Sequence, residues 1–242
     1  MGGVIEPLSR SFSIRYSDVN RFGCLKLSSL FRFMQEMAAE HAAMHHFGFD
    51  DLSADNTYWV LSRVMTEMYA LPSNGETILI TTWPRGTEKF NALRDFRFMN
   101  EAGNEIGKAT TTWLILDKVT HRPHRPVKLE SLPFPDVPDA FGENAGKVIV
   151  PEKMIFAFEQ TARFSDLDVN NHVNNTRYID WLMDAIPDKE QNFDNCRLLV
   201  NYNSEIRLGK SVSFSYSNLE RIWIIEGKDD SRSVVAAKLE MI

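Results

Sequence analysis

The chain has 242 residues, 43% of them hydrophobic and 25% charged, with a formal net charge of -6. That is enough apolar material for one large domain or two small ones with a real core. The acidic balance argues against a nucleic-acid binder, and no apolar run approaches the roughly 18 residues of a membrane span.

Two cysteines, Cys24 and Cys196, make neither a disulfide framework nor a zinc pattern. The start, Met1-Gly2-Gly3-Val4-Ile5-Glu6, lacks the basic and apolar regions of a signal peptide. Glu6 stands where a myristoylation motif wants Ser or Thr. No plant-type transit peptide is evident either. The expectation is a cytoplasmic protein with two free thiols.

In chain order, an alternating run Ser11-Phe12-Ser13-Ile14 precedes Arg15-Tyr16-Ser17-Asp18-Val19-Asn20. Helical spacing of Leu30, Met34, Met37, His41 and Met44 predicts a helix from Ser28 to Phe47, with Ser28 or Ser29 as cap and Gly48 as stop. Strand patterns follow from Tyr58 to Ala70, Glu76 to Arg85, Phe90 to Met99 and Glu105 to Asp117. Asn74-Gly75 and Ala102-Gly103-Asn104 supply turns. Residues 118–150 are proline-rich and poor in strand signals, and they predict a linker.

The pattern then repeats. Ile155-Phe156-Ala157-Phe158 precedes Arg163-Phe164-Ser165-Asp166-Leu167-Asp168. A helix is expected from Thr176 to Ile186, capped by Asn174 or Asn175 and ended by Pro187. Strands are expected from Arg197 to Ile206, Val212 to Asn218, Ile222 to Glu226 and Ser233 to Glu240. Each half is a strand, a long helix and about four antiparallel strands. A curved sheet buries its apolar face against one such helix, which predicts an α+β double hotdog. The expected division is 1–135, a linker at 136–150, and 151–242.

The segment Asp168-Val169-Asn170-Asn171-His172 gathers a carboxylate, an amide and an imidazole just before the second helix. Asn and Asp are common in capping loops. Yet Asp168, Asn170 and His172 fall at alternate positions and have complementary chemistry: attack or activation of water, orientation, and proton transfer. Aligning the repeats puts Asn20, Phe22 and Cys24 opposite them, so one active and one degenerate half is expected. Glu205, expected within a central strand, is the fourth candidate, because a carboxylate there is an expensive structural choice. Glu67 is expected at the similar place in the first copy.

Three stretches resemble the plant-type and bacterial fatty acyl-ACP thioesterases: Trp59-Val60-Leu61-Ser62-Arg63, Gly107-Lys108-Ala109-Thr110-Thr111-Thr112-Trp113, and the run Ser165 to Asn175, followed by Tyr178, Ile179 and Trp181. The resemblance covers nearly the whole chain. It implies a double hotdog, no metal or organic cofactor, and catalytic roles for Asp168, Asn170, His172 and Glu205. It also implies an acyl carrier protein partner bearing a 4'-phosphopantetheine-linked acyl chain. The family's strand Glu-Cys pair falls on Glu205 and Ile206, and isoleucine is no nucleophile. That departure favours carboxylate chemistry, with Cys196 as a buried structural thiol.

The resemblance further implies an apolar tunnel in the N-terminal half, for which Met34, Met37, Phe47, Trp59 and Met65 are candidates. The basic stretch with Arg122, Arg125 and Lys128, inside an acidic chain, is a candidate for docking an acidic carrier. The helix start near Asn174 is a candidate oxyanion site. Competing expectations are an acyl-CoA thioesterase, a non-catalytic acyl-binding protein and, on fold grounds, a dehydratase. Both a monomer and a homodimer are compatible with the repeat.

Overall fold

The structure, a computed structural model, describes residues 4–242; Met1 to Gly3, on which part of the reading of the chain's start rests, lie outside the described residues. The first half holds β1 (Leu8–Ser13), α1 (Leu27–Met44), α2 (Phe49–Ala54), β2 (Thr57–Met68), β3 (Thr77–Glu88), β4 (Asn91–Met99) and β5 (Glu105–Asp117). A short segment follows, with β6 (Pro123–His124) and α3 (Val127–Glu130). The second half holds β7 (Ile155–Thr161), α4 (Asn175–Asp184), β8 (Cys196–Tyr202), β9 (Ser211–Leu219), β10 (Ile222–Asp229) and β11 (Arg232–Met241). Among the described residues no helix is long and apolar enough to cross a membrane.

The strands form one antiparallel sheet in the order β1-β3-β4-β5-β2-β8-β11-β10-β9-β7, with β6 beside β5. The order of the first half is repeated by the second, reversed about the β2–β8 pair. Each half is a hotdog: a long helix against a curved sheet. Helices α1 and α4 share one face and one core, which includes Leu30, Met34 and Met37 from α1, Ile179 and Leu182 from α4, and Val64, Phe96, Val200 and Phe214 from strands.

Local sequence accounts for the helix ends. Asn174 caps α4, its side-chain oxygen accepting from Thr176 N at 2.9 Å. The predicted caps of α1 are displaced: the helix starts at Leu27, and Ser29 is buried inside it. Gly48 does not stop α1 but starts α2; a Cβ there would lie 2.9 Å from Ala43, so close packing between the two helices requires glycine.

Residues 118–150 are not a free linker. Ala140, Phe141 and Ala145 are buried on the outer face of the sheet against Met65, across the β2–β8 seam. The segment is fastened by polar bonds. Asn201 of β8 accepts from Val148 N at 2.7 Å and donates to Gly146 O at 3.0 Å, and Ala140 N donates to Asp95 at 2.7 Å. The prolines that suppress strand pairing also stiffen a strap.

Asn201→Ala would strip two strap groups of their partners, one of them in a buried bond. We expect it to lower stability by about 2–4 kcal/mol in urea unfolding; a loss under about 0.5 kcal/mol would mean the strap is not fastened there.

Candidate active site

The two copies of the repeated motif build the same turn. Arg15 N donates to Asp18 and Arg163 N to Asp166, at 3.0 and 2.8 Å. Both aspartates are buried. Each pairs with an arginine of the following helix, Asp18 with Arg32 and Asp166 with Arg177. The turns then close identically: Asn20 N to Cys24 O and Asp168 N to His172 O, both 2.8 Å. Gly23 and Asn171 take the same left-handed conformation, at φ 83 and 61.

Within that shared frame the first side chain caps the turn in both copies. Asp168 Oδ1 accepts from Asn170 N at 2.8 Å and His172 N at 3.3 Å. Asn20 Oδ1 does the same for Phe22 N and Cys24 N, at 2.9 and 3.2 Å. The capping role therefore survives in the first copy. What it lacks is the charge of Asp168, the amide of Asn170 and the imidazole of His172.

The imidazole meets a carboxylate. His172 Nε2 lies 3.2 Å from Glu205 Oε2, with its side chain nearly buried. Glu205 is not in a central strand as expected: β8 ends at Tyr202, and Glu205 sits in the loop that follows. Nor is Glu67 its counterpart. Leu25 N donates to Pro72 O as Val173 N donates to Ile206 O, so Leu71 holds the place of Glu205, whereas Glu67 lies in β2 opposite Arg197. Ile206 is buried. Burial pushes the Cys196 thiol up to about 12, which leaves it protonated and inert.

Two residues that the sequence pattern did not single out complete the cluster. The Tyr58 hydroxyl donates to Glu205 Oε1 at 2.9 Å and lies 3.1 Å from His121 Nδ1. Burial, followed by the Glu205 bond, pushes the Tyr58 phenol upward, so it remains a donor. Tyr58 is hard to single out from sequence because a tyrosine opening a strand is ordinary core material.

Two cavities meet at Asp168. One is an apolar chamber of about 430 Å³, bordered by Ala38, Ala39 and Ala42 of α1, Trp59, Trp113 and Ala92 of the sheet, and Asp168 and Asn170. The small side chains of α1 leave this space open. It crosses β2, β5, β4 and β3 in sheet order, about 14 Å for three strand spacings. The other is a more polar groove of about 360 Å³ that holds Glu205, His172, His121 and Arg232. Tyr58, Trp59, Asp168, Asn170 and Asn175 border both. Asn175 opens α4, so its backbone N–H has no acceptor within the helix.

Of the residues expected to line a tunnel, Phe47 and Trp59 border the chamber. Met34 faces only a void of about 10 Å³. Met37 is fully buried core and does not border the chamber. Met65 is on the wrong face, beneath Phe141. The reason is a bulge between Leu61 and Arg63 in β2, which reverses the inward and outward positions beyond it. The chamber wall also carries Arg94, which donates to His41 Nδ1 at 2.9 Å; His41 Nε2 is 2.9 Å from Glu6 O.

The basic stretch is partly neutralised. Arg125 pairs with Glu130 at 2.8 Å and Lys128 with Asp55 at 2.5 Å. Arg122 follows directly on His121 of the groove.

Fold and site together define a double-hotdog protein with one acidic site at the mouth of an apolar chamber. Residues 7–130 match the acyl-ACP thioesterase N-terminal domain model, and residues 152–237 match the C-terminal domain model. The chain belongs to the acyl-ACP thioesterase family. It is 28% identical over 199 residues to a palmitoyl-acyl carrier protein thioesterase of Gossypium hirsutum, covering 74% of this chain and 47% of that protein. It is 28% identical over 197 residues to oleoyl-acyl carrier protein thioesterase 1 of Arabidopsis thaliana, covering 73% and 54%. The chain thus spans about half the length of these plant relatives. Among solved structures, an acyl-ACP thioesterase from Bacteroides thetaiotaomicron superposes with TM-score 0.84 at 26% identity, covering 97% of both chains. The 12:0-ACP thioesterase of Umbellularia californica superposes with TM-score 0.84 at 21% identity, covering 97% of this chain and 96% of that one.

Burial, and then the Arg94 charge, lower the His41 pKa from 6.5 to about 4. Between these values the unfolded chain binds a proton that the folded chain refuses. The His41 contribution to stability is therefore complete above pH 6.5 and declines as the pH falls toward 4. We expect His41→Gln to flatten this part of the stability curve in urea titrations; an unaltered slope would mean that His41 protonates in the folded state.

Proposed function

We propose that the protein hydrolyses the thioester of a fatty acyl group carried on acyl carrier protein and releases the free fatty acid. The observation that carries this is the place of Asp168. Among the described residues it is the one carboxylate that borders both the apolar chamber and the polar groove, whereas Glu205 borders the groove alone. An acyl chain in the chamber and a phosphopantetheine arm in the groove put the thioester carbonyl beside Asp168. The names of the plant and bacterial relatives support the same substrate class.

In this reading the N-terminal half, residues 1–135, holds the acyl chain, residues 136–150 join the halves, and residues 151–242 carry the chemistry. An oxygen of Asp168 adds to the thioester carbonyl, the C–S bond breaks, and the carrier thiolate leaves, so that a mixed anhydride remains. Water then cleaves the anhydride. Its proton passes to His172, whose partner Glu205 stabilises the imidazolium, and the imidazolium gives that proton to the carrier thiolate, so that His172 and Asp168 are both regenerated. Asn170 orients the carbonyl, and the free N–H of Asn175 receives the developing oxyanion. Arg122, next in sequence to His121 of the groove, with Arg125 and Lys128 further along the same stretch, steers the acidic carrier. One chain supplies both hotdogs, so a monomer suffices, and the chemistry calls for no cofactor.

The test is a release assay on matched acyl-carrier-protein and acyl-CoA substrates, with Asp168→Ala beside the wild type. We expect turnover of the carrier substrate, and a loss of at least about a thousandfold in Asp168→Ala. Faster turnover of the acyl-CoA would move the substrate to acyl-CoA, and binding without turnover would make the protein a non-catalytic acyl-binding protein. Acid-quenched enzyme should carry the acyl mass on the Asp168 peptide; its absence would assign Asp168 to the activation of water instead.

Ala92 borders the chamber two strand spacings from β2, about 10 Å along its length. Ala92→Leu should shift preference toward shorter acyl chains. An unchanged chain-length profile would place the acyl group elsewhere.

A further inference from the structure

We infer that Tyr58 and His121, both from the N-terminal half, are positioning residues that hold Glu205 against His172. The inference rests on the thioesterase reading for its kinetic consequences, but the hydrogen-bond chain itself stands on the geometry.

The direction of that chain follows from counting protons. Glu205 as a carboxylate only accepts. Its Oε2 lies 3.2 Å from His172 Nε2 as an ion-pair contact, and its Oε1 accepts from the Tyr58 hydroxyl at 2.9 Å. A phenol has one proton, and here it points to Glu205. The contact between Tyr58 Oη and His121 Nδ1, 3.1 Å, must then be a donation from His121. The sequence is therefore His121 Nδ1–H to Tyr58 Oη and Tyr58 O–H to Glu205 Oε1, with His172 Nε2 3.2 Å from Glu205 Oε2. With one oxygen anchored, the carboxylate cannot rotate away from the imidazole.

Two further features point the same way. His121 is held at φ 54, a left-handed conformation uncommon outside glycine. A dedicated turn keeps it there: Asp117 Oδ1 accepts from Val119 N at 3.0 Å and Thr120 N at 2.7 Å, and His121 N donates to Asp117 O at 3.0 Å. The second feature is an asymmetry between the halves. The mirrored bonds of Leu25 with Pro72 and Val173 with Ile206 make Cys196, the first residue of β8, the repeat equivalent of Ser62. The start of β2, Thr57 to Leu61, thus has no strand counterpart in the second half. That extra length carries Tyr58 to the copy of the motif that holds an imidazole, His172, where the other holds Cys24.

The test is a double-mutant cycle on the full chain with a medium-chain acyl carrier protein substrate. Tyr58→Phe should lower kcat about ten- to a hundredfold, as the loss of a hydrogen bond to a charged group does, and change KM less than about threefold. His121→Ala should cost less, and should cost nothing further in the Tyr58→Phe background. Additive losses, or full kcat in Tyr58→Phe, would overturn the inference. Ring 15N spectra need no turnover. They should show Nδ1 of His121 protonated in the wild type, and that signature should fade in Tyr58→Phe. A His121 with bare Nδ1 in the wild type would overturn the chain even if the enzyme proved inactive on every thioester. An inactive wild type with the expected spectra would instead count against the thioesterase reading alone.

Discussion

Six residue pairs, from Arg63 with Asn201 to Met68 with Cys196, join β2 to β8 and turn two half-sheets into one. Backbone hydrogen bonds of this kind leave little freedom in register, since a slip of one residue would turn every side chain to the opposite face. The β2 extension is thereby fixed against the loop after β8, so that Tyr58 reaches Glu205. The strap of residues 139–148 covers the outer face of the same seam, with Phe141 between the cations of Lys108 and Arg197. The helices close the inner face. The approach of Tyr58 to Glu205 depends on this one pairing.

Conserving a frame while exchanging its contents is the second theme. The buried pairs of Asp18 with Arg32 and Asp166 with Arg177 hold both motif turns in the same shape. A buried carboxylate is tolerable only because backbone N–H groups and a guanidinium satisfy it. On that common frame the first copy places Asn20, Phe22 and Cys24, and the second places Asp168, Asn170 and His172. The turn does not distinguish them, and only the side chains do.

Much of this was legible in the sequence. The element order, the paired halves and the position of the Asp168 to His172 run all follow from periodicity and from the repeated motif. What was not legible depended on features that periodicity averages away. One extra residue near Ser62 reverses the facing of Met65. Gly48 looks like a helix stop but is a contact between helices. Residues 118–150 look like a tether because prolines mask a packed strap. Tyr58 meets Glu205 from 147 positions away, and His121 meets Tyr58 from 63 positions away. No local pattern reports a contact of that span.

Fusion of the halves has a genetic consequence. In a symmetric homodimer each substitution is written twice, so a change that hollows out one side hollows out both. Here Cys24 and His172, or Leu71 and Glu205, can drift apart because separate codons encode them. One end of the pseudo-dyad can thus carry a carboxylate and an imidazole while the other carries Asn20 and Cys24, and the apolar chamber opens toward the first of these alone.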